Sequence, residues 1–111
     1  MGAFNVVHAD VACPRCQTVS RVGVQFKYGA TRQFDYSVGD ALKWGGNDIG
    51  MAGHHRVVTE GIVGDDCPSC GFDDDWDVYV QVQDDKIVGV EPATGIHDFA
   101  AARSTFIVLD A

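Results

Sequence analysis

Cysteine is the residue whose spacing in this chain most clearly implies chemistry. The four cysteines fall in two pairs, Cys13-Pro14-Arg15-Cys16 and Cys67-Pro68-Ser69-Cys70-Gly71, with the 50 residues 17–66 between them. Two residues between ligands let the backbone fold into a tight turn that brings both sulfurs to one side, within ~2.3 Å of a single ion. Amides of such a turn can aim at the thiolates and offset their charge. A left-handed residue tends to end it, a conformation that Gly71 adopts without a Cβ penalty. Two such turns facing one another supply four sulfurs in a tetrahedron. Cys13, Cys16, Cys67 and Cys70 are therefore expected to hold one structural metal ion, Zn2+ first, with iron as the alternative.

Two other uses of these thiols fit less well. Disulfides need an oxidising compartment, whereas the opening Met-Gly-Ala-Phe-Asn lacks the basic end and apolar stretch of a secretory signal, and a cytoplasmic location is expected. Val6 stands where an N-myristoylation motif needs Ser or Thr. A catalytic thiol pair needs only one Cys-x-x-Cys, opening a helix, and a low thiol pKa. Here Asp10 and Asp66 stand near the pairs and Asp73, Asp74, Asp75 and Asp77 follow the second. Negative neighbours raise a thiol pKa, so redox catalysis is not expected.

The two knuckles resemble those of the zinc-ribbon group, which pairs two Cys-x-x-Cys turns at the tips of β-hairpins. They are also similar to rubredoxin, whose two knuckles hold iron; Cys67-Pro68-Ser69-Cys70-Gly71 matches its second knuckle, while Gln17 stands where the first would have Gly. The resemblance covers about ten residues and implies the four ligands, zinc or iron, and no particular partner or reaction.

Other residues offer weaker chemistry. His54 and His55 are adjacent, so their side chains point apart, and no Cys or carboxylate is spaced to join them; exposed loop positions are expected rather than a second metal site. His8 and His97 are isolated. Trp44 is flanked by Gly45 and Gly46 and is a candidate partner-binding anchor, against the competing expectation that it ends a strand and packs in the core. Asp73, Asp74 and Asp75, next to Trp76, are a candidate dock for a basic partner or a solvated loop; the ligand pattern of an EF-hand is missing. No phosphate-cradling glycine motif, Ser-His-Asp order or His-Glu-x-x-His is present, and no enzyme is expected.

The elements that must position the cysteines read as short strands, with glycine at 13 positions and no long amphipathic helical pattern. Alternating apolar residues predict strands over Asn5–Ala12, 19–28, Arg56–Val63, Asp77–Gln83, 87–91 and 105–109. Gly29-Ala30-Thr31 reads as a hairpin turn into a strand over 32–37, with Phe34 and Tyr36 on one face. Val38-Gly39-Asp40 reads as a sharp bend entering a new strand of a small barrel. Gly45, Gly46, Gly50 and Gly53 mark 45–53 as an irregular surface loop. Asp84-Asp85 reads as the turn of the clearest hairpin, and 96–103 as a short helix. The expected fold is mainly β: a small antiparallel sheet or partial barrel with a zinc-ribbon-type four-cysteine site and at most one short helix. It forms one domain over 1–111, with 17–66 as a β-rich insert carrying its own small sheet.

The charge balance bears on partners. Sixteen acidic residues against eight Lys and Arg give a net charge of −8, which penalises binding to phosphate backbones. No apolar run approaches the ~20 residues that cross a bilayer. The expected function is a non-enzymatic, zinc-stapled module that binds a protein, a basic one above all, as an inhibitor or immunity-type protein of the small acidic bacterial kind would. A rubredoxin-like electron carrier is the second reading. A nucleic-acid-binding zinc ribbon, using Arg15, Arg21, Lys27 and Arg32, is the third.

Overall fold

The computed structural model describes residues 4–46, 48–64, 66–71 and 76–109. The described residues form nine strands and one short helix: β1 Asn5–Ala12, β2 Val19–Phe26, β3 Gly29–Ala30, β4 Asp35–Ser37, β5 Asp48–Ile49, β6 Arg56–Val63, β7 Asp77–Gln83, β8 Lys86–Pro92, α1 Phe99–Ala102 and β9 Phe106–Val108. Six strands run in the order β4-β1-β2-β6-β7-β8, with β9 added on β6. All their pairings are antiparallel except β1 with β4. No described helix is long and apolar enough to cross a membrane.

Alternation explains the inner face. Val7, Ala9 and Val11 of β1, Val22, Val24 and Phe26 of β2, Val57 and Val63 of β6, and Val78, Val80 and Val82 of β7 are all buried in one cluster, because residues two apart share a face of a pleated strand. The sheet curls into a half-barrel. Its open side is bridged by the segment after β4: Gly39 N donates to Ile87 O (2.6 Å), Ile87 N to Asp40 O (3.0 Å) and Leu42 N to Asp85 O (2.8 Å). The expected sharp bend at 38–40 is thus real, but it leads into a single bridge, Ala41 to Lys86, rather than a strand.

Two expectations are corrected. Residues 32–37 do not form a hairpin with β2: the short β4 lies parallel to β1, with Val7 opposite Tyr36, and Gly29–Ala30 pairs with Asp48–Ile49 instead. Asn5, wholly buried, directs this path. Its Nδ2 donates to Tyr28 O (3.2 Å) and Ala30 O (3.0 Å), and its Oδ1 accepts from Phe34 N (3.2 Å). The second correction concerns the insert 17–66. Its long strands β2 and β6 belong to the same sheet as β1, β7 and β8, and only β3 with β5 stands apart.

Candidate metal centre

The sheet topology places both knuckles at one end of the molecule. β1 and β2 form a hairpin whose last pair is Ala12 with Val19, extended by Cys13 N to Thr18 O at 3.0 Å. β6 and β7 form a second hairpin whose last pair is Ile62 with Asp77, extended by Val63 N to Trp76 O at 3.0 Å. β2 and β6 are antiparallel neighbours, with Val24 opposite Val63 and Gly64 N donating to Gly23 O at 3.0 Å, so the chain leaving β6 runs on alongside the earlier part of β2 toward the first knuckle. The two hairpin tips therefore meet.

Within each tip the same turn recurs. Gln17 N donates to Cys13 O at 2.9 Å, and Gly71 N donates to Cys67 O at 2.8 Å. Gln17 and Gly71 both take left-handed backbone angles, φ 64° and 73°. Pro14 and Pro68 occupy the second position of each turn, where a fixed φ is already suitable. The Arg15 amide points back at Cys13 Sγ, 3.4 Å away. The departure of Gln17 from the rubredoxin-like pattern is one of residue type, then, and not of backbone shape.

The four sulfurs converge across the tips. Cys13 Sγ lies 3.7 Å from Cys70 Sγ and Cys16 Sγ 3.6 Å from Cys67 Sγ, and all four lie within 4.8 Å of one another. A tetrahedron of thiolates at ~2.3 Å from one ion has sulfurs about 3.8 Å apart, whereas a disulfide needs about 2.05 Å. None of the four cysteines is in a disulfide. The cluster could hold one metal ion and is the only group of three or more such residues among the described ones. Cys13 and Cys67 are buried, Cys16 is half-buried and Cys70 is exposed.

Acidic neighbours were expected to raise the thiol pKa values. At Cys16 the reverse holds: hydrogen bonds from the Thr18 side chain and the Thr18 backbone pull it from 9.0 down to about 6, against the opposing effect of burial. A local donor outweighs screened charges at the surface. Thr18 is the residue at this site that sequence reasoning missed. The signal available was its place directly after the knuckle, with a hydroxyl in reach of the second thiol.

None of the remaining candidates among the described residues is brought to the cluster. Trp44 is half-buried, packs on the core and meets Tyr28 edge-on, with ring centroids 5.4 Å apart. Asp73, Asp74 and Asp75 lie outside the described residues. His55 Nδ1 lies 2.8 Å from Asp84 Oδ1 on the surface, and His8 Nε2 lies 3.3 Å from Asp35 Oδ1; neither joins a metal-ligating group among the described residues. His97 packs edge-on against Tyr79 with centroids 5.0 Å apart. Scanned against protein-family models the chain matches none, and the searches of curated proteins and of solved structures give no match either.

Proposed function

We propose that this chain is a zinc-ribbon-type domain in which Zn2+, held by Cys13, Cys16, Cys67 and Cys70, clamps the tips of two hairpins. The β domain so fixed serves as a non-enzymatic module that binds a basic protein. The convergence of four thiols from two matching turns carries the metal reading. Four protein thiolates fill a tetrahedron and leave no open position for substrate, the mark of a structural site rather than a catalytic one.

Charge supports the partner reading. A net charge of −8 attracts a basic protein and speeds its association in a salt-sensitive way. The basic residues nearest the first knuckle do not make one stripe. Arg15 is at the knuckle, Arg21 stands opposite Asp10 in the β1–β2 register, and Lys27 and Arg32 come after the far end of the eight-residue β2. At ~3.3 Å per residue, Arg15 and Lys27 are roughly 25 Å apart. Nucleic-acid binding calls for clustered cations, so it ranks below a basic protein. An inhibitor covering a basic toxin is the concrete form of this reading.

The test is capture of partners from the source cells by the metal-loaded protein, at low and at high salt, with elemental analysis of the same preparation. One zinc per chain and a basic partner released by salt are expected. Absence of any salt-sensitive partner would overturn the partner reading and leave the metal reading standing. Iron, red when oxidised, would favour the electron carrier.

A further inference from the structure

The outer face of the sheet beside the first knuckle carries a second feature that the metal does not explain. After β8 the chain leaves the sheet edge and crosses back over β7 as a strap, residues 93–98, before α1. One side chain ties the strap down. The Tyr79 hydroxyl, on a residue only 3% exposed, accepts hydrogen bonds from Gly95 N at 2.8 Å and His97 N at 3.3 Å. The His97 and Phe99 rings pack against the Tyr79 ring, at 5.0 and 5.9 Å between centroids. Asp98 caps the short helix through its Oδ1, which accepts from Ala101 N at 2.9 Å. The strap is therefore held in place from both ends.

Between the strap, the outer face of β6–β7 and the first knuckle lies a cleft of about 400 Å³, within the ~300–1,000 Å³ of small-ligand clefts. Its lining includes buried Trp76 and Tyr79 and half-buried His97 and Phe99; among the described residues that line it the charged ones are Glu60 and Asp77, with no Lys or Arg. The β6–β7 register puts Glu60 opposite Tyr79 and Asp77 opposite Ile62, so both carboxylates lie on the face that the strap covers. Both are exposed. The half-buried rings of His97 and Phe99 beside two exposed carboxylates make a receptor for a long cationic side chain: its methylenes lie on those rings and its charged head reaches the carboxylates.

We propose that this cleft receives a lysine or arginine side chain of the basic partner. The proposal rests on the partner reading above and gives it an address. A flat acidic surface would attract any cation equally, whereas this cleft has a wall tied down by the Tyr79 hydroxyl and two carboxylates at known positions. The partner would then lie against the outer face of β7 and the knuckle, whose Pro14 lines the cleft together with Ala12.

The test uses the full metal-loaded chain and a short oligo-arginine peptide as probe, titrated by calorimetry and followed by amide chemical shifts. Shifts centred on Glu60, Asp77, Gly95 and His97 are expected. The double variant Glu60→Gln with Asp77→Asn should weaken binding by about tenfold or more, the loss of about 1.4 kcal/mol. A control removing the same charge elsewhere, Asp35→Asn with Asp84→Asn, should change it little. Equal losses in both double variants, or shifts spread over the acidic surface, would overturn the cleft while leaving a basic partner in place. No binding even at low salt would overturn both. The melting temperature of each variant separates lost binding from lost folding.

Discussion

Gln17 and Gly71 occupy equivalent places in two copies of one turn. Each has a left-handed backbone, and each donates its amide to the carbonyl of the first cysteine of its pair, at 2.9 and 2.8 Å. One position uses the residue suited to that conformation and the other does not. The left-handed region costs a non-glycine residue roughly 1–2 kcal/mol, offset in Gln17 by a long hydrogen bond from its side chain to Pro14 O at 3.3 Å and by the lower chain entropy of a non-glycine residue.

Exchanging these residue types gives the first prediction. Gln17→Gly should stabilise the metal-loaded protein by up to about 1 kcal/mol, and Gly71→Gln should destabilise it by about 1–2 kcal/mol. Denaturant midpoints of the two variants check this. A Gln17→Gly variant less stable than the parent would show that the glutamine side chain holds the turn.

Metal removal should act on the whole sheet, since the two tips belong to the two hairpins that meet at β2 and β6. Chelation should lower the melting temperature markedly, and Cys67→Ser should do the same while reducing metal retention. In small zinc peptides the metal supplies as much as ~10–16 kcal/mol of folding free energy. Less is expected here, because the core of Val7, Val24, Phe26, Val57, Val80 and Ile87 buries apolar area without it. An unchanged melt after verified metal removal would refute the clamp.

Acid should affect the metal-free protein through Cys16. Its folded pKa, about 6, lies below the ordinary 9.0. The thiolate's contribution to folding is therefore fully present above pH 9, declines as pH falls, and is lost below about 6. Alkylation of Cys16 in the metal-free protein, read by mass spectrometry, should show a midpoint near pH 6. Thr18→Val should move the midpoint up, because it removes the largest of the lowering interactions; an unmoved midpoint would assign the shift elsewhere.

The Gly-rich loop offers a paired test. A Cβ on Gly50 would fall 2.4 Å from the Tyr28 ring at φ +82°, while one on Gly53 would meet nothing within 4 Å at φ +98°. Gly50→Ala should cost more than Gly53→Ala, by about 1–3 kcal/mol for forcing a buried ring aside. Thermal melts of the two variants decide it, and equal costs would show that Tyr28 can move.

The limits of reading this fold from sequence are visible at particular residues. The spans of β1, β6 and β7 are legible residue by residue because small or apolar residues recur at every second position of their inner faces: Val7, Ala9 and Val11; Val57, Gly61 and Val63; Val78, Val80 and Val82. The pairing of β4 was not. Phe34 and Tyr36 mark a strand, but alternation carries no information about which neighbour it joins. That choice is made by the amide of Asn5, three of whose hydrogen bonds reach across 23 to 29 residues. The same distinction separates the two sites. Four cysteines mark a candidate metal centre by spacing alone, whereas the cleft at Tyr79 exists only once the strap folds back over β7, and no local pattern records that crossing.

X-ray absorption on the purified protein tests the central claim most directly, because it reads the metal and its ligands together. One zinc per chain with four sulfur ligands at about 2.3 Å is the expected result. Nitrogen or oxygen among the ligands, or a protein purified without metal and with all four thiols reactive, would contradict it.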